Sequence, residues 1–487
     1  MRPALPLLAL LLAGCVATPP APSAPPPGAA AALAFEVQKL PGDFLGAEPN
    51  MVAGPDGDVW VIAVGSVLAD PAQNINEGKV NLWHSADQGA TWERQRDPGP
   101  QDKNGTWCSC DTDVDLGPDG TVYLTDFWVG NPVDHTLGQL PDAPVPLPVG
   151  APGQNGFTTE ASTDGGATWA PGNFVTVTRA FANDRQYITA GRDPGEVYLS
   201  YARAGFGLPV PIDAPDAGLH LLRSTDFGRT YAQMSQPFQS TATSDAFIAR
   251  LRVGEDGTVY YPWVASLGFN ETATMVVAVS RDRGQTFERF VAGEAPDGVG
   301  GLWPMQMDVG PDGLLHMAWM ARDPAGGSRL LYARSADQGA TWTPARVVGW
   351  SNGTALLPWI AHAGPGRAVI AYYGNPAPMY ALDAPNATQW HAWAIVIGNS
   401  AAEDLGPVQV APWPVKVGTF CPYGAACPED RELLDYPAVT WRDGWVHVTF
   451  AASLLDEGAG PASEGGAAPR GGHATNAYVY AARARLP

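Results

Sequence analysis

The sequence predicts an all-β chain folded as a single β-propeller of four-stranded blades, and three observations carry that prediction. An eight-residue pattern, Ser-x-Asp-x-Gly-x-Thr-aromatic, occurs at Ser85–Trp92, Ser162–Trp169, Ser224–Tyr231, Ser280–Phe287 and Ser335–Trp342. A second turn pattern precedes β-branched and aromatic runs at Gly54–Gly57, Gly117–Gly120, Gly254–Gly257 and Gly310–Gly313. The composition, 56 Gly, 47 Pro and 17 Trp in 487 residues, supplies dense turns and large rings to fill the space between sheets. Long amphipathic helical stretches are absent, and self-similarity at this period belongs to propellers.

Each unit reads as strand A, a Gly-Pro-Asp-Gly turn, strand B, a loop, strand C, the octapeptide turn and strand D. In the octapeptide the Ser and Asp oxygens accept backbone N–H groups, Gly supplies a positive φ, and the aromatic ring covers the following strand. Weaker first turns stand at Gly191–Gly195, Gly364–Arg367 and Arg442–Gly444. Unit six keeps its strands but has Asn399-Ser400 in place of the octapeptide. Unit seven offers three strands, Tyr436–Trp441, Trp445–Phe450 and Asn476–Ala482. The segment Ala34–Leu40 supplies the fourth and closes the ring. The count is seven blades, with six as the alternative.

Residues 1–14 read as a bacterial lipoprotein signal, an apolar run from Leu5 to Leu12 ahead of Leu12-Ala13-Gly14-Cys15. Cys15 is the expected lipid carrier. Residues 15–33 are a Pro- and Ala-rich tether, and residues 34–487 form the propeller domain. The expected address is the extracytoplasmic side of a bacterial envelope, at the outer membrane or cell surface, as a monomer touching membrane only through its anchor. With 28 Lys plus Arg against 49 Asp plus Glu, the net charge of −21 excludes nucleic acid as a natural partner.

Cys108, Cys110, Cys421 and Cys427 remain after lipidation, just ahead of the inner strands of blades two and seven. An even count outside the cytoplasm argues for disulfides, with thiolate metal binding as the alternative. No metal site or cofactor is otherwise expected. The run Asp111-x-Asp113-x-Asp115 reads as a strand with alternating carboxylates, since no bidentate Glu closes a calcium loop.

The octapeptides are Asp-boxes, and the chain resembles the sialidase-type β-propellers that carry them. A–B and C–D turns share one face of a propeller, so the boxes are structural. The irregular B–C and D–A insertions, among them 131–155, 415–434 and 454–475, build the other face, where binding is expected. The family binds a substrate carboxylate with three arginines, attacks with a Tyr paired to a Glu, and uses an Asp as acid/base. The resemblance implies Arg185 and Arg431 as carboxylate binders, Tyr436 as nucleophile, Glu432 as its partner, and Asp111 or Glu48 as acid/base. The family's first arginine has no counterpart in Phe44-Leu-Gly-Ala-Glu48-Pro49, and Arg250 and Arg252 are the candidates for a third. Trp303 and Trp359 are expected as exposed rings that stack on sugars. A membrane-tethered, sialidase-like protein that binds and hydrolyses glycans is one reading. A recognition module without chemistry and an envelope-assembly scaffold are the others.

Overall fold

The computed structural model describes residues 33–42, 46–65, 80–95, 106–130, 154–170, 173–179, 183–203, 218–239, 246–265, 272–299, 305–323, 326–422, 433, 436–453 and 477–487. Strand β1 (Glu36–Lys39) is set apart from the consecutive units that follow. The first unit is β2 (Gly46–Ala53), β3 (Val59–Gly65), β4 (Val80–Ser85) and β5 (Glu93–Arg94). The second is β6 (Thr106–Leu116), β7 (Val122–Gly130), β8 (Gln154–Ser162) and β9 (Asn173–Arg179). The third is β10 (Asn183–Ala190), β11 (Val197–Arg203), β12 (Gly218–Ser224) and β13 (Ala232–Gln233), with β14 (Phe238–Gln239) also on β12. In the fourth, a broken inner strand, β15 (Ala246–Ile248) and β16 (Arg252–Val253), pairs β17 (Val259–Ala265), followed by β18 (Ala273–Ser280) and β19 (Glu288–Ala295).

The next sheet has nine strands, but it is two antiparallel runs. They are β20 (Met305–Val309), β21 (Leu315–Asp323), β22 (Gly327–Ser335) and β23 (Arg346–Val348), then β24 (Thr354–His362), β25 (Ala368–Asn375), β26 (Gln389–Ile397), β27 (Leu405–Gln409) and β28 (Lys416–Val417). A lone parallel pairing, Ser328 with Thr354, joins the two. The last unit is β29 (Ala438–Arg442), β30 (Trp445–Ser453) and β31 (Ala477–Arg485), and β1 completes it by pairing antiparallel with β31. The expected closure by the amino-terminal segment is therefore present. Leu33 is already buried, one residue ahead of the expected domain start.

First strands of successive units lie side by side: β2 on β6, β6 on β10, β10 on β16, β16 on β20, β20 on β24, β24 on β29, and β29 on β2. Hydrophobic cores form between facing sheets, as where Trp60, Ile62, Val80 and Leu82 meet Val114, Val122 and Leu124. Cys108 and Cys110 lie within β6 rather than ahead of it.

The octapeptides behave as the sequence demands. In the first, Gly89 N–H donates to Ser85 Oγ at 2.9 Å and Thr91 N–H to Asp87 Oδ1 at 2.8 Å. Positive φ is needed at the residue before the glycine as well, at Gln88, Gly165, Phe227, Arg283 and Gln338. The rings also do more than cover the next strand. Trp169 turns back to donate to Gly166 O at 3.1 Å and meets Trp60 of unit one edge-on at 6.2 Å.

Gly166 has a φ of 88°, and a Cβ there would sit 2.5 Å from Trp60 Cη2. Gly166→Ala is expected to lower stability by about 1–3 kcal/mol in urea unfolding, from backbone strain plus overpacking. Gly165→Ala, where a Cβ meets nothing within 4 Å, should cost less. Equal losses would show that contact with the neighbouring unit contributes nothing.

Candidate functional site

The inner strands do not run straight. In β2 the register slips between Ala47 and Asn50, in β10 between Asp184 and Tyr187, in β24 between Leu356 and Trp359, and in β6 between Ser109 and Thr112. Three of these bulges place a non-glycine residue in the left-handed region: Glu48 at φ 48°, Arg185 at 57° and Leu357 at 56°. A bulge re-aims side chains, and such φ values cost energy that a site has reason to store.

The bulges bring residues from five units to one place. Arg185 Nε lies 3.6 Å from Asp111 Oδ2 and 3.9 Å from Asp184 Oδ1. Asn50 Nδ2 donates to Thr112 O at 2.6 Å and to the Tyr436 hydroxyl at 3.2 Å. Gln186 Nε2 donates to Asp111 O at 2.7 Å. The Tyr436 ring lies 4.7 Å from Trp359, which in turn lies 6.3 Å from Tyr187. Tyr436 feels Tyr187, Glu48, Asp111 and Arg185 electrostatically, so all belong to one cluster.

Burial dominates the titration here. It lifts the Asp184 carboxyl to about 7, helped by the charge of Asp111 and by a hydrogen bond between the two carboxyls, and opposed by Arg185. A quarter of the Asp184 side chain, 26%, still reaches solvent. Burial also pushes the Tyr436 hydroxyl well above its usual range, so it is a neutral phenol. Asn50 Oδ1, Gln186 Oε1 and Thr112 Oγ1 are buried with no hydrogen-bond partner among the described residues. The two amide oxygens call for donors that the described residues do not supply.

Further along the same strands the polar groups are spent on holding units together. Asp113 accepts Ile188 N–H at 3.0 Å and Asp115 accepts Ala190 N–H at 2.9 Å. Arg250 reaches Asp113 and Asp115, each at 3.3 Å, and donates to Val114 O and Ile188 O. Arg252 pairs with Asp308 at 2.8 Å, and Asp308 also binds His362 Nδ1 at 2.9 Å.

Of the residues read from the sequence, Glu48, Asp111, Arg185, Trp359 and Tyr436 come together. Arg250 and Arg252 do not join them as a third carboxylate binder, because both are consumed by these buried ion pairs. Trp359 is not an exposed platform: it is 1% exposed and packs against Tyr436. Arg431, Glu432, Trp303, Cys15 and Cys427 lie outside the described residues, as do the side chains of Cys108 and Cys110 and most of the loops expected to build the binding face. Cys421 is buried and disulfide-bonded. Among the described residues no group of three His, Cys, Asp or Glu is placed to hold a metal.

Sequence reading missed Asn50, Gln186 and Tyr187 as site residues. The available signal was proline beside the bend, in Glu48-Pro49, Leu357-Pro358 and Tyr436-Pro437. Proline cannot donate to a ladder and so marks interrupted pairing.

No family model matches the chain, and no curated protein matches it. Among solved structures, a protein of unknown function from Dyadobacter fermentans aligns over 93% of this chain and 98% of its own, at 14% identity and a TM-score of 0.42. An α-L-arabinofuranosidase from Fusarium graminearum, in complex with an iminosugar inhibitor, aligns over 70% and 92%, at 13% identity and 0.47. The endosialidase of phage phi92 aligns over 93% and 70%, at 11% identity and 0.48. At these values no residue role is carried over from any of them.

Proposed function

We propose that the chain is a seven-bladed propeller that binds a glycan at the Glu48–Asp111–Asp184–Arg185–Tyr436 cluster and hydrolyses a glycosidic bond there. The observation that carries this reading is the gathering of Asp111 and Asp184 about the Arg185 guanidinium, at 3.6 and 3.9 Å, with Glu48 in the same cluster, where burial and the nearby Asp111 carboxyl raise the Asp184 carboxyl. A carboxyl raised by burial and a neighbouring carboxyl is what a general-acid assignment requires. Asp184, the more exposed of the pair, gives its proton to the leaving oxygen as the bond to the anomeric carbon breaks. The nearby Asp111 carboxyl favours the protonated form of Asp184, and the Arg185 guanidinium opposes it. Glu48 takes a proton from the water that adds to the anomeric carbon and then releases it to solvent, which returns one to Asp184. Tyr436, neutral and 2% exposed, orients the sugar through its hydroxyl and replaces the nucleophilic role implied by resemblance.

The seven units, joined first strand to first strand and closed by β1 on β31, support the blade count. We also place the protein on the extracytoplasmic side of a bacterial envelope, held by a lipid on Cys15, on the strength of residues 5–15 alone. Loss of metabolic palmitate labelling in Cys15→Ser would support that address, and retained labelling would remove it.

The test of the activity is hydrolysis of a panel of aryl glycosides by the full chain in detergent. Asp184→Asn is expected to lower kcat by about 10²–10⁴-fold, with loss of the alkaline limb near pH 7. Unchanged turnover and pH profile in Asp184→Asn would end the acid assignment. Turnover of no substrate by a folded protein would leave binding without chemistry, a reading that the deep burial of Tyr436 and Glu48 favours.

A further inference from the structure

Among the described residues, the charge inventory along the propeller axis is lopsided. Glu48, Asp111, Asp184, Asp113, Asp115 and Asp308 supply carboxylates, and Arg185, Arg250 and Arg252 supply guanidiniums. Each guanidinium already has a carboxylate of the chain: Asp111 and Asp184 for Arg185, Asp113 and Asp115 for Arg250, Asp308 for Arg252. Arg185 Nε stands 3.6 Å from Asp111 and 3.9 Å from Asp184, so a ligand carboxylate would have to share that guanidinium with two carboxyls of the chain. A ligand anion placed here would instead face Glu48 and Asp111 in a water-poor site, where like charges repel most strongly.

A second observation points to a ligand rich in hydroxyl donors. Asn50 Oδ1 and Gln186 Oε1 are acceptors, both in fully buried side chains, and neither has a partner among the described residues. Asn50 is hydrogen-bonded to Tyr436 and Gln186 to the Asp111 backbone, so both acceptors border the cluster. Acceptors are satisfied by hydroxyl donors, of which a neutral sugar has several on each ring.

We propose, resting on the reading of this cluster as a glycan site, that it takes an uncharged sugar unit and rejects an anionic one. Arg185 is then a positioning residue that fixes Asp111 rather than a receptor for ligand charge. Sialic and uronic acids are excluded by the carboxyls of Glu48 and Asp111, and hydroxyl groups of the sugar answer Asn50 and Gln186.

The experiment is binding of the full chain in detergent to a glycan array printed twice, once native and once with every carboxylate converted to its methyl ester. Neutral glycans are expected to bind at least tenfold better than acidic ones of the same backbone, and esterification should recover the acidic ones. Glu48→Gln, checked for folding by circular dichroism, should narrow the preference several-fold. Binding that needs the free carboxylate and disappears on esterification would overturn the proposal. Acidic-glycan binding abolished by Arg431→Ala would overturn it as well, by placing an anion receptor on that residue. Binding to neither print, by a folded protein, would bring down the glycan reading itself and this inference with it. A bound but unhydrolysed neutral glycan would support the inference while removing the catalytic half of the proposed function.

Discussion

Replacing Arg250 by Met is expected to lower unfolding stability by about 3–5 kcal/mol, the range for removing one partner of a buried ion pair. Arg250 is 3% exposed and sits in the gap between β15 and β16. From unit four it reaches over unit three to unit two, and it donates to a carbonyl from each. Methionine keeps most of the aliphatic volume, so lost packing accounts for little of the effect. Asp113 would remain buried with only the N–H groups of Val114 and Ile188 to answer it. Burial already lifts the Asp113 carboxyl to about 7, with Arg250 opposing, and removing Arg250 lifts it further.

The sign follows from that direction. An acid whose folded pKa is raised above 3.8 favours the folded state least once both states are ionised, so its penalty grows from pH 3.8 up to the folded value, which is higher still without Arg250, and is constant above it. The Arg250→Met deficit should therefore be smaller at pH 5 than at pH 8. Asp113→Asn in the same background should recover at least 1 kcal/mol, since an amide oxygen still accepts Ile188 N–H and no charge is left stranded. A deficit equal at both pH values, with no recovery in the double variant, would mean that Arg250 acts through packing.

The contrast between what the sequence made legible and what it hid has a physical basis in these same strands. The Asp-box turns could be read because their geometry demands residue types: Ser85 and Asp87 must accept, and the Gly89 position must adopt a positive φ. Closure by β1 could be read because unit seven was one strand short. Glu48, Asp111, Arg185 and Tyr436 could be located because they lie on or beside the inner strands, where a propeller presents its axis. Their neighbours could not. Which of Asn50, Gln186 or Tyr187 turns toward the axis depends on a register slip set by the partner strand, and no side-chain type encodes that slip. The fate of Arg250 was hidden for a related reason: its carbonyl partner Val114 lies 136 residues away, and alternation along one strand says nothing about what the adjacent units supply.

His316 and His447 give the second large effect, and they separate from the carboxyls by sign. His316, on β21, is fully buried and hydrogen-bonded through Nδ1 to the Tyr332 hydroxyl at 2.8 Å. His447, on β30, is 1% exposed and meets Gln88 Oε1 of the first Asp-box at 3.2 Å. Burial depresses both from 6.5 to about 4. Above pH 6.5 both are neutral in either state and contribute no pH dependence. As pH falls from 6.5 to 4 the unfolded chain takes up protons that the folded chain refuses, so stability is lost through that window and no further below it. At about 1.4 kcal/mol per unit, each histidine removes on the order of 3 kcal/mol. Over the same window Asp113 and Asp184, raised to about 7, bind protons preferentially in the folded state and stabilise it. The wild-type curve is thus a near-cancellation, and the difference from a variant is the informative quantity. His447→Gln should cost about 1 kcal/mol at pH 7.5, through lost packing against Gly89 and an altered bond to Gln88. At pH 4.5 it should overtake the wild type by roughly 1–2 kcal/mol, since glutamine carries no proton debt. Urea unfolding at both pH values reads the crossing directly. A deficit of the same size at pH 4.5 and 7.5 would show that His447 is free to protonate in the folded protein.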